Sequence, residues 1–302
     1  MHWLAFALCG PILWAISVHL DKYLVERYFK DADVIVLLIF TALMGVVLMP
    51  IIAWFEPDVF RIDVRSMALM ALSGLFYMTG ITFYLRALQG NDATLVAPFF
   101  QSSPLFGYVL AYLVLGETLS PRQLLGGALI IAGVMSVSIG TGSSRGRFRW
   151  QLAALMLCAG FVLSLSTLIF KAFAIKDEFW STAFWMFAGE ALFGAVFLSI
   201  PRYGRQFFEL CRSNGTALLA LNASNELINL GGGLANRYAL IFAPLAIVQA
   251  IGSTTTLFVF LIGVILTLAA PQLSRENLSR RECVQKGAAA VLVAIGVALV
   301  SR

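Results

Sequence analysis

Apolar residues run in long blocks along most of the chain, and polar or turn-forming residues gather in short stretches between them. A helix needs about 20 apolar residues to cross the hydrocarbon layer of a bilayer. By that measure the pattern predicts about ten membrane spans, over 3–20, 34–55, 67–88, 94–115, 124–140, 152–171, 180–200, 216–240, 244–269 and 287–300. The connections carry the charges, as in FEPDVFRIDVRS, QGND, GETLSPRQ, GTGSSRGRFR, PRYGRQFFELCR and SRENLSRRE. No polar stretch is long enough to fold as a soluble domain. The first block has no Lys or Arg before it and no clear cleavage site after it, so a retained helix is expected rather than a signal peptide.

The blocks also repeat. YLRALQGNDATLVAPFFQSSPLF in the first half can be laid on NRYALIFAPLAIVQAIGSTTTLF in the second. Ala87-Leu88 then falls on Ala239-Leu240, Leu105-Phe106 on Leu257-Phe258, and Gly80 on Gly232. Cys9 matches Cys158, Lys22 matches Lys171, and Pro50 matches Pro201. Near the ends, Gly133-Val134 matches Gly296-Val297 and Ser138 matches Ser301. The largest insertion falls in LAAPQLSRENLSRRE. Five spans is an odd number, so a second copy enters the membrane from the opposite side. The expected fold is all-α: about ten transmembrane helices as two inverted five-helix repeats around a central cavity. The repeats cover 1–142 and 150–302, with 143–149 as connecting loop.

Composition agrees with this class. The chain is 60% apolar and 12% charged, with mean hydropathy +0.88, far from the balance of a water-soluble domain. The net charge of +5 is then expected to meet lipid headgroups, not nucleic acid. The four cysteines have no metal-ligand spacing; Cys9 and Cys158 lie in apolar runs and are expected to be small buried thiols. No cofactor is expected.

Against this apolar background the polar residues inside spans stand out. Glu190 lies in FWMFAGEALFGAVF and Glu226 in LNASNELINLGGG. A carboxylate in hydrocarbon is costly and usually faces a cavity, a partner or a substrate. Asn222, Asn225, Glu226, Asn229 and Asn236 recur at helical spacing, followed by Gly231-Gly232-Gly233. Such a stripe either lines a cavity or joins two helices. The fourth span carries Gln101, Ser102 and Ser103 between Pro98 and Pro104; the ninth carries Gln249, Ser253, Thr254, Thr255 and Thr256. Proline frees backbone carbonyls within a span, so polar groups in two corresponding spans point to a midplane site. Tyr77 and Trp14 add aromatic walls. The candidate substrate-binding residues are therefore Glu226, Asn225, Asn229, Asn222, Tyr77, Gln101, Ser103, Gln249, Ser253 and Trp14. Glu226 and Glu190 are the candidates for coupling. His19, Asp21, Lys22 and Lys171 lie at span ends and read as interfacial anchors or as gate charges. Most other tryptophans, such as Trp54, Trp150 and Trp180, fall near span ends as an aromatic belt does.

The run FYLRALQGNDATLVAPFFQSSPLFGYVLAYLVLGETLSPRQLLGGALIIAGVMSVS resembles the EamA domain of the drug/metabolite transporter superfamily. The resemblance rests on ALQGNDA after the third span, the proline of SPLF, Gly116-Glu117, Leu-Ser, and a glycine-rich fifth span ending in Gly-Val. The second half departs from it, with Arg275-Glu276 in place of Gly-Glu. The resemblance implies a ten-helix secondary carrier of small metabolites or drugs, with two such domains around a cavity.

The expected activity is secondary transport of a small organic metabolite or drug, as an exporter, working by alternating access and driven by protons or exchange. The alternatives are a lipid-linked substrate flippase and a non-transporting receptor or assembly factor. No GxxxxGK[ST] or HExxH is present, so neither an ATPase nor an enzyme is expected. The expected partners are a small-molecule substrate and the lipid bilayer, with a monomer sufficient. The expected location is a bacterial inner membrane, with both termini on one side. The Lys and Arg balance of the loops favours both termini outside, whereas the resemblance favours both inside.

Overall fold

A computed structural model describes residues 2–27, 33–88, 102–139, 150–176, 178–269 and 280–300. Among them every regular element is a helix. In chain order these are α1 (His2–Arg27), α2 (Val34–Phe55), a short 3-10 turn (Pro57–Phe60), α3 (Val64–Leu88) and α4 (Ser102–Leu115). α5 (Pro121–Ile139), α6 (Trp150–Lys176), α7 (Phe179–Ser199), α8 (Pro201–Ala239), α9 (Leu245–Gly252), α10 (Thr255–Ala269) and α11 (Arg280–Val300) follow. Among the described residues six stretches are long and apolar enough to cross a membrane: His2–Asp21, Val34–Phe55, Val64–Ala87, Trp150–Lys176, Phe179–Ser199 and Leu245–Thr267. α4 and residues 287–300 are shorter apolar helices.

Several ends differ from the expected spans. α1 runs on to Arg27 and α11 begins at Arg280, because amphiphilic helix ends continue past the apolar window. The stretch PRYGRQFFELCR, read above as a connection, is helical. It forms the start of the 39-residue α8, with Pro201 at its first position, where the missing N–H costs nothing. The ninth span is not one helix. It breaks at Ser253-Thr254, where both hydroxyls turn back onto the chain, Ser253 Oγ to the Ala250 carbonyl at 2.6 Å and Thr254 Oγ1 to that of Ile251 at 2.6 Å. The connecting loop 143–149, Gln101 and the QGND break lie outside the described residues, as does most of the insertion before α11.

Local chemistry sets other ends. Asp33 caps α2 by accepting from the Ile35 amide at 3.1 Å. Asp63 does the same for α3 through the Ser66 amide at 3.0 Å. The Ser66 hydroxyl and amide together hold the Asp63 carboxyl below its usual range, so this cap stays charged.

The outer surface is apolar. Trp54, Phe55, Leu113, Trp150 and Ile265 are all exposed, as lipid-facing and interfacial side chains must be. Cys158 is exposed on this face and Cys9 half-buried, which corrects the expectation of buried thiols. An outward position on an apolar helix meets lipid, so apolar sequence alone does not imply burial.

Inside, helices meet through small residues. α3 and α7 cross where Gly74 and Gly189 interlock. A Cβ on Gly189 would overlap the Ala71 carbonyl, and one on Gly74 would overlap that of Met186. Lipid tails are as apolar as leucine, so close backbone approach replaces the hydrophobic effect as the source of packing energy. Gly189→Ala is expected to cost about 1–3 kcal/mol through overpacking. It should lower the melting point of the purified protein, whereas a melting point equal to native would show that these helices can part freely. The crossing also fixes Glu190, the next residue, against the inner wall.

Candidate functional site

α2, α3, α7 and α8 enclose a cavity lined by Thr41, Met44, Tyr77, Phe187, Glu190, Glu226, Asn229, Leu230, Gly233 and Arg237. The cavity between these walls is small, about 20 Å³, room for about one water. Each helix contributes by its own periodicity. On α8, Glu226, Asn229, Leu230, Gly233 and Arg237 follow intervals of three and four and so share one face.

Both candidate acids are deeply buried, Glu190 at 3% exposure and Glu226 at 4%. Glu226 Oε1 accepts a hydrogen bond from Thr41 Oγ1 at 2.9 Å. Glu190 Oε1 accepts none. The cation nearest to it is Arg237, whose Nη2 lies 3.9 Å away. The Arg237 guanidinium lies over the Tyr77 ring at 4.9 Å and the Phe170 ring at 5.7 Å. Two carboxylates, one guanidinium and an aromatic face thus meet in one cavity.

Around it the α8 stripe continues. Asn225 Nδ2 donates to Asp21 Oδ1 of α1 at 2.6 Å, so Asp21 reaches inward and does not serve as an interfacial anchor. Asn222 is buried with its Oδ1 unpaired. Trp14 Nε1 donates to the Asn229 carbonyl at 3.2 Å, and Gly232 lets α1 approach closely enough for this bond. His19 bonds the Val259 carbonyl at 3.0 Å.

Other candidates gather elsewhere. Ser103 and Gln249 meet at Ser164 of α6, at 3.1 Å between the serine hydroxyls and 3.3 Å from Gln249 Nε2. Gln249 Oε1 and Ser102 Oγ are left unpaired there. Ser253 bonds its own helix at the break. These residues join α4, α6 and α9 and do not line the cavity above.

Lys171 is also placed differently from an interfacial anchor. It is 4% exposed and ion-paired with Glu117 Oε1. It also donates to the Ala243 carbonyl at 2.6 Å, while Glu117 Oε2 accepts from the Leu245 amide at 2.9 Å. The Gly116-Glu117 motif thus ties α6 to the turn between α8 and α9. Gly116 adopts a φ of +66°, which favours glycine and aims Glu117 inward.

Thr41, Arg237 and the Glu117–Lys171 pair were not singled out in the sequence as site residues. Arg237 had a signal. It lies eleven residues, about three helical turns, past Glu226 on the same stripe. Thr41 is a lone hydroxyl in an apolar run and gives no such sign.

Comparison with known proteins agrees with this architecture. One solved structure, described only as "Crystal structure of protein", superposes with a TM-score of 0.68 over 99% of this chain and 95% of its own, at 16% identity. At that identity the likeness concerns the fold alone. No curated protein matches. Residues 1–139 match the model of the EamA-like transporter family. Six membrane-length stretches among the described residues make the chain a multi-pass membrane protein, and its residues 1–139, a little under half of it, are similar to the EamA-like transporter family.

Proposed function

We propose that this chain is a secondary transporter that exports a small organic solute by alternating access, with the Glu190–Glu226 cavity as its binding site. The observation that carries the reading is the pair of buried carboxylates facing one cavity within membrane-spanning helices. Such groups mark substrate or ion pathways.

Packing supports the inverted repeat in this reading. With the spans numbered one to ten, α3 is the third, α6 the sixth, α1 the first and α8 the eighth. The close α3–α6 contact then has its mate in α1–α8. The α2–α7 and α5–α11 contacts each map onto themselves, as pairs across a two-fold axis do. The matched glycines behave alike: Gly80 of α3 abuts Leu163 of α6, and Gly232 of α8 abuts Gly10 and Trp14 of α1. Two such units moving against each other would expose the cavity to each side in turn. A monomer suffices, and both termini lie on the same side of an inner membrane.

The test is flux. Liposomes holding the purified chain are expected to move a small organic solute saturably, driven by a gradient of protons or of the solute, without ATP. Identical leakage from liposomes with and without the protein, across a library of amines, amino acids, nucleosides and drugs, would reject the reading.

A further inference from the structure

Beside the cavity, the seam between α1 and α8 holds oxygens that lack a donor among the described residues. Asn225 is 1% exposed and Asn222, one turn earlier on the same face of α8, is 3% exposed. The side-chain oxygen of each is buried without a hydrogen-bond partner. Asn225 faces Asp21 of α1, because its Nδ2 donates to Asp21 Oδ1 at 2.6 Å. Its Oδ1, on the same planar amide, therefore sits beside that carboxyl. Turning the amide over gives no relief, since the oxygen would then face Asp21 itself. Ser17, one turn before Asp21 on α1, is also buried, and its hydroxyl lies close to the same carboxyl.

Charge points the same way. Among the described residues no Lys, Arg or His lies within ion-pair distance of Asp21, or of Glu226, the residue after Asn225. Arg237 stands nearest Glu190 instead. A water donating to the two amide oxygens would leave the Asp21 charge uncompensated. A cation satisfies both oxygens and the carboxylate at once. The donor set names the kind of cation. Oxygen ligands alone suit a hard ion rather than zinc or copper. One carboxylate among neutral amide and hydroxyl oxygens matches a single positive charge, whereas calcium takes more oxygens, several of them from carboxylates. Asp21 closes the apolar stretch His2–Asp21 and is itself only half-buried, so an ion reaches it from the aqueous boundary and not through lipid.

We infer that the α1–α8 seam binds a small monovalent cation of the sodium class, Asp21 supplying the charge and Asn222 Oδ1 and Asn225 Oδ1 the neutral ligands. When filled, the site ties together two helices that meet again at Trp14 and Gly232. It is separate from the solute cavity and does not depend on the transport reading.

The test uses the full chain in detergent at one pH and one ionic strength, with sodium chloride replacing choline chloride stepwise. The melting point should rise with sodium and saturate, as it does for an ion that binds only the folded state. Binding of radioactive sodium to the same preparation should saturate over the same range. Asp21→Asn should abolish both signals. Asn222→Ala removes one oxygen ligand and leaves the Asp21–Asn225 hydrogen bond in place. It should weaken sodium binding by at least about tenfold, and it decides the matter if the Asp21 variant does not fold. A melting point indifferent to the exchange of choline for sodium would mean that a water or a proton fills the seam, and would overturn the inference. Calcium binding more tightly than sodium, or sodium binding unchanged in both variants, would overturn it as well. Liposome flux keeps the two readings apart. Solute flux from a chain that binds no sodium would sink this site and leave transport standing, whereas sodium binding without any solute flux would do the reverse.

Discussion

Glu226→Gln is expected to abolish carrier flux while leaving the fold intact. The substitution keeps size and shape, and the glutamine carbonyl can still accept the Thr41 hydroxyl, now 2.9 Å from Glu226 Oε1. Packing around this 4%-exposed side chain therefore changes little. What is lost is a carboxylate able to hold a proton or a cation inside the membrane. A hydrogen bond to a charged group is worth about 1.5–3 kcal/mol, so a lost contact with a cation alone corresponds to roughly ten- to hundredfold. Loss of coupling would remove concentrative flux altogether. Uptake into liposomes and a melting curve on the same preparation check this. Native flux from the variant would mark Glu226 as a packing residue, and a collapsed melting curve would mark it as structural.

The second large effect concerns stability. Lys171→Met is expected to destabilise the protein strongly, because it removes the cation paired with Glu117 and the donor to the Ala243 carbonyl. Breaking one side of a buried pair costs about 3–5 kcal/mol. The lower end applies here, since Glu117 keeps 19% of its side-chain surface and can reach some water. At about 2–4 °C per kcal/mol for a chain of this order of size, the melting point should fall by roughly 6–12 °C. Lys171→Met with Glu117→Gln should recover much of the loss, because no charge is then stranded. A double variant no better than the single one would show that the Ala243 contact, rather than the pair, holds this junction.

Legibility of the site in the sequence followed the range of each signal. The α8 stripe was readable because Asn222, Asn225, Glu226 and Asn229 are neighbours on one helix and helical spacing reveals a shared face. Tyr77 and Glu190 were readable as exceptions within apolar runs. Thr41 was not, because its partner is 185 residues away and an isolated threonine is ordinary in a membrane helix. Arg237 was masked by its position near a span end, where arginines commonly snorkel to the interface. Lys171 misled for the same reason: sequence places a lysine at the end of an apolar block and cannot show that the turn before α9 folds over it. The long helices were readable from apolar length. The break at Ser253-Thr254 was not, because hydroxyl residues within a span read equally well as a polar face and as a bend. Ser103 and Gln249 were grouped with the cavity on repeat position alone, and the structure joins them through Ser164, a residue with no distinguishing sequence context.

The apolar exterior bears on how such a chain can change over time. Side chains such as Leu113 and Ile265, which face outward, have neighbours that are fluid and interchangeable. At those positions one aliphatic side chain serves as well as another, provided it stays greasy. At Gly74 and Gly189 the neighbour is a rigid backbone, and nothing larger fits. Sequence drift should therefore run in opposite senses on the two faces of one helix, with large residues exchanging freely on the outside and the smallest residues held fixed within.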